Sequence, residues 1–518
     1  MRWAKAFAAF IAAFFLVQCG EPDMEAPEQD FELIEATIAD IHNAYARGDL
    51  TARELTQAYL DRIAAYDKGT GLNAIVVVND QALATADALD AEFAATGTLR
   101  PLHGIPLIVK DNYETIGLQS AAGSSAFAGY IADKDATQVR LLKEAGAIVL
   151  AKSNMDEFAF SPMRTVSSIL GVTKNPYDLT KVPAGSSGGT AASVAANMGL
   201  AGLGTDTGNS IRGPSGHNAL VGMRSTMGVT SREGIFPLYL RNDIGGPMAR
   251  TVEDAARIFD VIAQIDPLDA ATSYQDWQRP EGGYLASLDA GGLKGVRIGV
   301  FTTLVGEGKI HPDMKALFDA AVKDLEAAGA ITVPVDVPDF FDHYKGIWCG
   351  YPFRVDMNAF LAARAGKVPW KSMEDMIANA ELSDHHGDDV RELVGSTEAA
   401  CISVYEEPKN VAMTKSIMDA MDAANVAALV YPTWNYPARD LDDNESPAGN
   451  NSGMTAPHTG QPAITVPMGF TPAGLPGGLQ IMGRHFMDHD VFKYAYAYEQ
   501  ATQHRKPPEM FGPLKARD

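Results

Sequence analysis

KVPAGSSGGTAASVAANMGLAGLGTDTGNSIR, residues 181–212, is the stretch on which the reading of this chain turns. It opens on a glycine-serine loop, Gly185–Gly189, enters a small-residue helix expected over Thr190–Met198, and closes on a second glycine-rich turn ending at Ser210. Glycine reaches backbone angles that other residues avoid and lets segments approach closely. The helix carries Ala191, Ala192, Ala195 and Ala196, so it has little bulk and must pack tightly on its neighbours. Ser186 and Ser210, 24 positions apart on two loops, can then face one pocket. Loops of this kind often hold a phosphate. This one lacks the lysine of the P-loop pattern, and Gly208-Asn209-Ser210-Ile211-Arg212 is not a G-x-S-x-G nucleophile elbow.

Upstream, LHGIPLIVKDN (102–112) places Lys110 at the end of an apolar run, Ile105–Val109, of buried-strand type. A lysine after a strand is ordinarily solvated. One delivered into a pocket by a buried strand is desolvated, which lowers its pKa and leaves a neutral amine able to act as a base.

These segments together resemble the amidase signature family, hydrolases with a Ser–cis-Ser–Lys triad. The likeness runs in the family's order from about Phe31 to Gly483. It takes in AKSNMDEFA (151–159), GSSGG (185–189), GTDTGNSIR (204–212), GPMARTVEDAA (246–256), GQPAITVPMG (460–469) and LPGGLQIMG (475–483). The resemblance implies Ser210 as nucleophile, Ser186 as a bridging serine behind a cis peptide after Gly185, and Lys110 as the ultimate base. It also implies an oxyanion hole built from the backbone N–H groups of Thr207, Gly208, Asn209 and Ser210, supported by Ser187, Thr205 and Asp206. The chemistry needs these types: a serine hydroxyl attacks a carbonyl only if something takes its proton, and lysine does so only when neutral. That requires a lysine brought from about 10.4 to roughly 7–8. Three positions depart from the family's usual pattern: Ala184 and Asn209 stand where glycine is common, and Ser215 where alanine is.

The implied fold is a single large α/β/α domain, a central mixed β-sheet covered by helices on both faces. Local patterns agree with it. Helices are expected over Phe31–Arg47, Ala52–Tyr66 and Gln81–Ala94, and strands over Leu72–Val78, Ala147–Leu150 and Gly295–Val300. With 518 residues and 46% hydrophobic composition the chain can bury a large core. Its net charge of −23 argues against nucleic acid and anionic membrane surfaces as partners.

The first 19 residues read as a signal peptide, with Arg2 and Lys5 ahead of the apolar run Ala6–Val17. Leu16-Val17-Gln18-Cys19-Gly20 resembles a lipoprotein box with Cys19 as the lipidated residue, although Gln18 stands where small residues are usual. Residues 20–30 then form an acidic tether, and 31–518 the catalytic domain. An exported protein of a bacterial periplasm, touching membrane only through that anchor, is expected.

Asp156 and Glu157 are read as packing and orienting groups, and Arg212 as an ion-pair partner of Asp206 rather than a ligand for a substrate carboxylate. His103, His217 and His458 are read as structural. No metal-ligand spacing occurs, and neither metal nor cofactor is expected. Cys349 and Cys401 pair or stay as thiols. Among residues 302–450 the aromatics Tyr344, Trp348, Tyr351, Phe353, Tyr431, Trp434 and Tyr436 are mostly core, a few of them pocket wall.

The resulting expectation is an amidase that converts a small carboxamide to a carboxylate plus ammonia or an amine through an acyl-enzyme at Ser210, its oligomeric state open. One alternative is a protein like the glutamine-hydrolysing subunit of a tRNA-dependent amidotransferase, against which the signal segment argues. The other is a catalytically silent binding lipoprotein on the same fold.

Overall fold

A computed structural model describes residues 31–273, 277–306, 308–348, 352–396 and 402–514. Cys19, the signal segment and the tether lie outside the described residues, as do Cys349, Tyr351 and Cys401. Glu32–Asp518 form one compact unit.

Its frame is an eleven-stranded sheet. The strands along the chain are β1 Ile75–Val78, β2 Pro106–Lys110, β3 Ile148–Ser153, the short hairpin β4 Val166–Ser167 and β5 Gly171–Val172, β6 Ala201–Asp206, β7 Val221–Arg224, β8 Ile244–Ala249, β9 Arg297–Phe301, β10 Ile331–Val335, β11 Ala428–Pro432, β12 Ala463–Phe470 and β13 Pro476–Met482. The sheet order is β1-β3-β2-β6-β8-β7-β12-β13-β11-β9-β10, with β4 and β5 apart. Strands β3, β2 and β6 run parallel, β6 to β11 pair antiparallel in succession, and β11, β9 and β10 are parallel again. The sheet is therefore mixed, with helices against it, as expected.

Strand β2 is buried along its whole length, as suits a parallel strand covered on both faces. It lies beside β6 with Val109 opposite Leu203, so Lys110 and Asp206 emerge at the same edge of the sheet. Ligand sites of parallel sheets form beyond such carboxyl ends.

Several boundaries differ from the sequence pattern. The first helix covers Ile38–Arg47 rather than starting at Phe31, because Thr37 and Asp40 close a capping box there. The second, Ala52–Thr70, starts at the Thr51 and Glu54 box and stops at Gly71, which is left-handed. The small-residue helix spans Gly188–Ala195 and ends before Asn197, at φ +53°.

The expected glycine-rich turn is the largest difference: Ala201–Asp206 is a fully buried central strand. Its glycines are needed by packing. A Cβ on Gly202 would lie 2.5 Å from Thr190 Cγ2 and 2.6 Å from the Ile108 carbonyl oxygen, so only glycine lets helix, β2 and β6 close on one another.

Residues 353–395 pack against the N-terminal half. Their helices Phe353–Ala362, Met373–Asn379 and Gly387–Gly395 share a core with Phe127, Phe158 and Phe236.

Candidate active site

Lys110 is fully buried where β2 ends. Its Nζ donates to Ser186 Oγ at 2.7 Å and to Thr205 Oγ1 at 2.7 Å. Burial drives its ammonium down from the ordinary lysine value to about 7, against the upward pull of Asp206, Asp156 and Asp243. Asn112, two residues on, donates to the same Thr205 hydroxyl at 3.1 Å and so fixes where that oxygen can offer a lone pair.

Ser186 sits in the Gly185–Gly189 loop with a cis peptide bond between Gly185 and Ser186. Its carbonyl accepts from the Asp156 amide at 3.0 Å. The loop has no room to spare: a Cβ on Gly185 would lie 1.9 Å from the Arg164 carbonyl oxygen. Ser187 points the other way, its Oγ bridging the backbone N–H and C=O of Thr205 at 3.3 Å each. Ala184, just before the loop, has φ +64°, the left-handed region that explains why glycine is the common residue there.

Strand β6 leads into the turn 207–210, and Asp206 holds that turn from below. Its carboxylate accepts from Arg212 Nε at 3.0 Å, Arg224 Nη1 at 3.0 Å and the Ile211 amide at 3.2 Å. Burial alone would raise this carboxyl, but the two guanidinium groups outweigh it and hold it at about 2. Arg212 also donates to the Gly208 carbonyl at 2.8 Å. It is fully buried, braces the loop, and presents no guanidinium to a substrate carboxylate. The amides of Ile211 and Arg212 turn back to Asp206, whereas those of Thr207, Gly208, Asn209 and Ser210 meet no acceptor among the described residues. Asn209 does not have the positive φ that its glycine-replacing position suggests. Its side chain instead lies against Gly213, where a Cβ would come within 2.4 Å of Nδ2.

Ser210 lines a cavity of about 530 Å³, together with Thr207, Gly208 and Asn209. Lys110 and Ser186 are fully buried and do not line it. Of the aromatics picked from the sequence, Tyr344 and Trp348 line the cavity, while Phe353, Tyr431 and Trp434 are core. Phe160, Met163, Leu238 and Met454 also line it, and no sequence signal marks them because apolar wall and apolar core look alike.

Other supporting groups escape sequence reading too. Asp243 accepts from the Thr207 hydroxyl at 2.5 Å and from the amides of Leu238 and Tyr239, tying the turn to the next loop. His386 Nε2 lies 3.0 Å from Asp156 and its Nδ1 2.8 Å from Asp389; burial opposes its charge, but the two carboxylates raise it to about 9. Asp156 in turn accepts from the amides of Ser161 and Val166, the orienting part expected of it, and Glu157 accepts from Ser168. His103, His217 and His458 are structural: His103 meets the Leu89 carbonyl, His217 stacks on Trp434, and Trp348 packs edge-on against His458.

Known proteins share the family and the fold. The family model described as Amidase matches residues 54–492. The structure superposes on the native peptide amidase of Stenotrophomonas maltophilia with a TM-score of 0.79 and 34% identity, covering 92% of this chain and 99% of that one. A probable amidase of Arabidopsis thaliana is 33% identical over 92% of each chain. A glutamyl-tRNA(Gln) amidotransferase subunit of Symbiobacterium thermophilum is 34% identical over 91% of this chain and 97% of its own. The match over nearly the whole chain and the shared fold establish that this protein belongs to the amidase family, the amidase signature enzymes, and is a hydrolase acting on amides.

Proposed function

We propose that Ser210, Ser186 and Lys110 act as one proton-transfer chain in the hydrolysis of a carboxamide. The observation that carries this is the 2.7 Å hydrogen bond from the buried Lys110 amine to Ser186; the same amine also donates to Thr205, on the strand that leads to the cavity-lining Ser210. As Ser210 Oγ bonds to the amide carbon, its proton passes to Ser186 Oγ, whose own proton passes to neutral Lys110 Nζ. The carbonyl π-electrons move to oxygen, where the free amides of the 207–210 turn supply preorganised donors. Collapse of the tetrahedral adduct breaks the C–N bond, and Lys110 returns the proton through Ser186 to the leaving nitrogen. Water then attacks the ester by the same route, releasing the carboxylate.

The test is ammonia release from a panel of amides alongside labelling by a fluorophosphonate. Ser210→Ala should lose both, whereas labelling that persists in this variant would exclude Ser210 as nucleophile. Ser186→Ala should lower kcat by about 10²–10⁴ with KM little changed, since a general acid–base step is what it removes; a pure rise in KM would make it a binding residue.

For the segment ahead of the described residues we propose export and lipidation at Cys19, on the strength of the basic start, apolar run and cysteine box. Radioactive palmitate incorporation that survives Cys19→Ala would refute it.

A further inference from the structure

The cavity in front of Ser210 has a wall of one character. Phe160, Met163, Leu238, Tyr344, Trp348 and Met454 form its apolar part, and its polar groups are uncharged. Among the described residues no carboxylate, amine, guanidinium or imidazole lines it. Charged side chains of neighbouring segments do not line it and have contacts of their own. Arg212 and Arg224 hold Asp206. Asp243 takes the Thr207 hydroxyl, Arg241 donates to Asn410, and Arg164 reaches Asn444.

A charged group brought into such a space loses water without gaining a counter-charge, a cost far above that of leaving an apolar group there. A free amino acid amide such as glutamine brings both an ammonium and a carboxylate. A bulky uncharged amide, in contrast, covers apolar wall and releases water from it. The volume suits a body well beyond a few carbons.

We infer that the site takes an uncharged amide with a bulky aliphatic or aromatic body seated against Phe160, Leu238, Trp348 and Met454, and that it turns away amides bearing a carboxylate or ammonium beside the scissile group, free glutamine among them. This rests on the hydrolase reading above and separates the chain by substrate from its amidotransferase relatives.

The experiment uses the purified full chain and four amides, namely 3-phenylpropanamide, valeramide, succinamate and glutamine. Two readouts are taken: kcat/KM, and protection of Ser210 from fluorophosphonate labelling. The order 3-phenylpropanamide above valeramide above succinamate is expected in both, each step tenfold or more, with glutamine inert; apolar pocket contacts discriminate by about 10–200-fold. Trp348→Ala and Met454→Ala should raise KM or the protecting concentration for 3-phenylpropanamide at least tenfold while labelling persists. Met454→Lys should narrow the gap between valeramide and succinamate. Protection by succinamate or glutamine as effective as that by the neutral amides would overturn the substrate class alone, as would labelling that no neutral amide slows. Absence of labelling in the wild-type chain would instead overturn the reading of Ser210 as nucleophile on which it rests.

Discussion

Under the proposed mechanism, the chemistry turns on one titration, that of Lys110. Its amine is neutral in the folded chain above about 7, against 10.5 for an ordinary lysine. The log of kcat/KM should therefore rise with pH and level off near 7, and Lys110→Ala should abolish the rise along with most activity. The same group acts on stability. Between about 7 and 10.5 the unfolded chain binds the proton that the folded chain has released, so burial of Lys110 makes stability increase with pH across that window. Lys110→Met should remove that slope, read as the difference in Tm between variant and wild type at pH 6 and pH 9. An identical pH dependence of Tm in the two would show that the amine is not titrating in its buried place. This residue is legible in the sequence through the family resemblance, since an apolar run ending in lysine does not by itself separate Lys110 from Lys152, which is also buried near the end of a strand. Thr205, which accepts from that amine, and Asn112, which donates to Thr205, are not equally plain, since hydroxyls and amides are common everywhere and only register brings them together.

At the scale of elements, the glycines divide into those that hold the fold and those that leave room for a substrate. Gly185→Ala should cost about 3–5 kcal/mol, the range of severe core defects. Its Cβ would meet the carbonyl oxygens of Arg164 and Ser161 at 1.9 and 2.5 Å, and backbone cannot step aside cheaply. Gly208→Ala should keep its Tm, because the nearest atom to a new Cβ is Trp348 Cη2 at 4.0 Å, and should raise KM by narrowing the cavity. Thermal melts and initial rates on both variants check the pair. The helices are readable from caps and periodicity: Thr51 starts one and glycines at 71 and 97 end two. Strand β6 is not, because its glycines, the usual mark of a turn, here answer to contacts with Thr190 and Ile108 that no local pattern records. The apolar wall is unreadable for a related reason, since Phe160 and Phe158 differ in what they face and not in type.

Across the whole molecule, three carboxyls work against stability in base: Asp254 and Asp488, which are buried, and Glu499, which is half-buried. Burial, aided by Asp254 and Glu253, raises Glu499 from 4.5 to about 8, and burial raises Asp254 and Asp488 to about 6. Over the interval from each ordinary value to the raised one the folded chain binds more protons, so these groups lower stability as pH increases. Glu499→Gln should raise Tm by a few degrees at pH 8.5 and leave it nearly unchanged at pH 4.5. The origin of the two walls of the site has a broader consequence. Ser210 lines the cavity with Phe160, Met163 and Leu238 from the first half of the chain, whereas Tyr344, Trp348, Asn450 and Met454 reach it from the second half. Substrate space is thus shared by two lengths of the polypeptide, and drift in the later one can refit the enzyme to another amide while the length that carries the proposed nucleophile stays as it is.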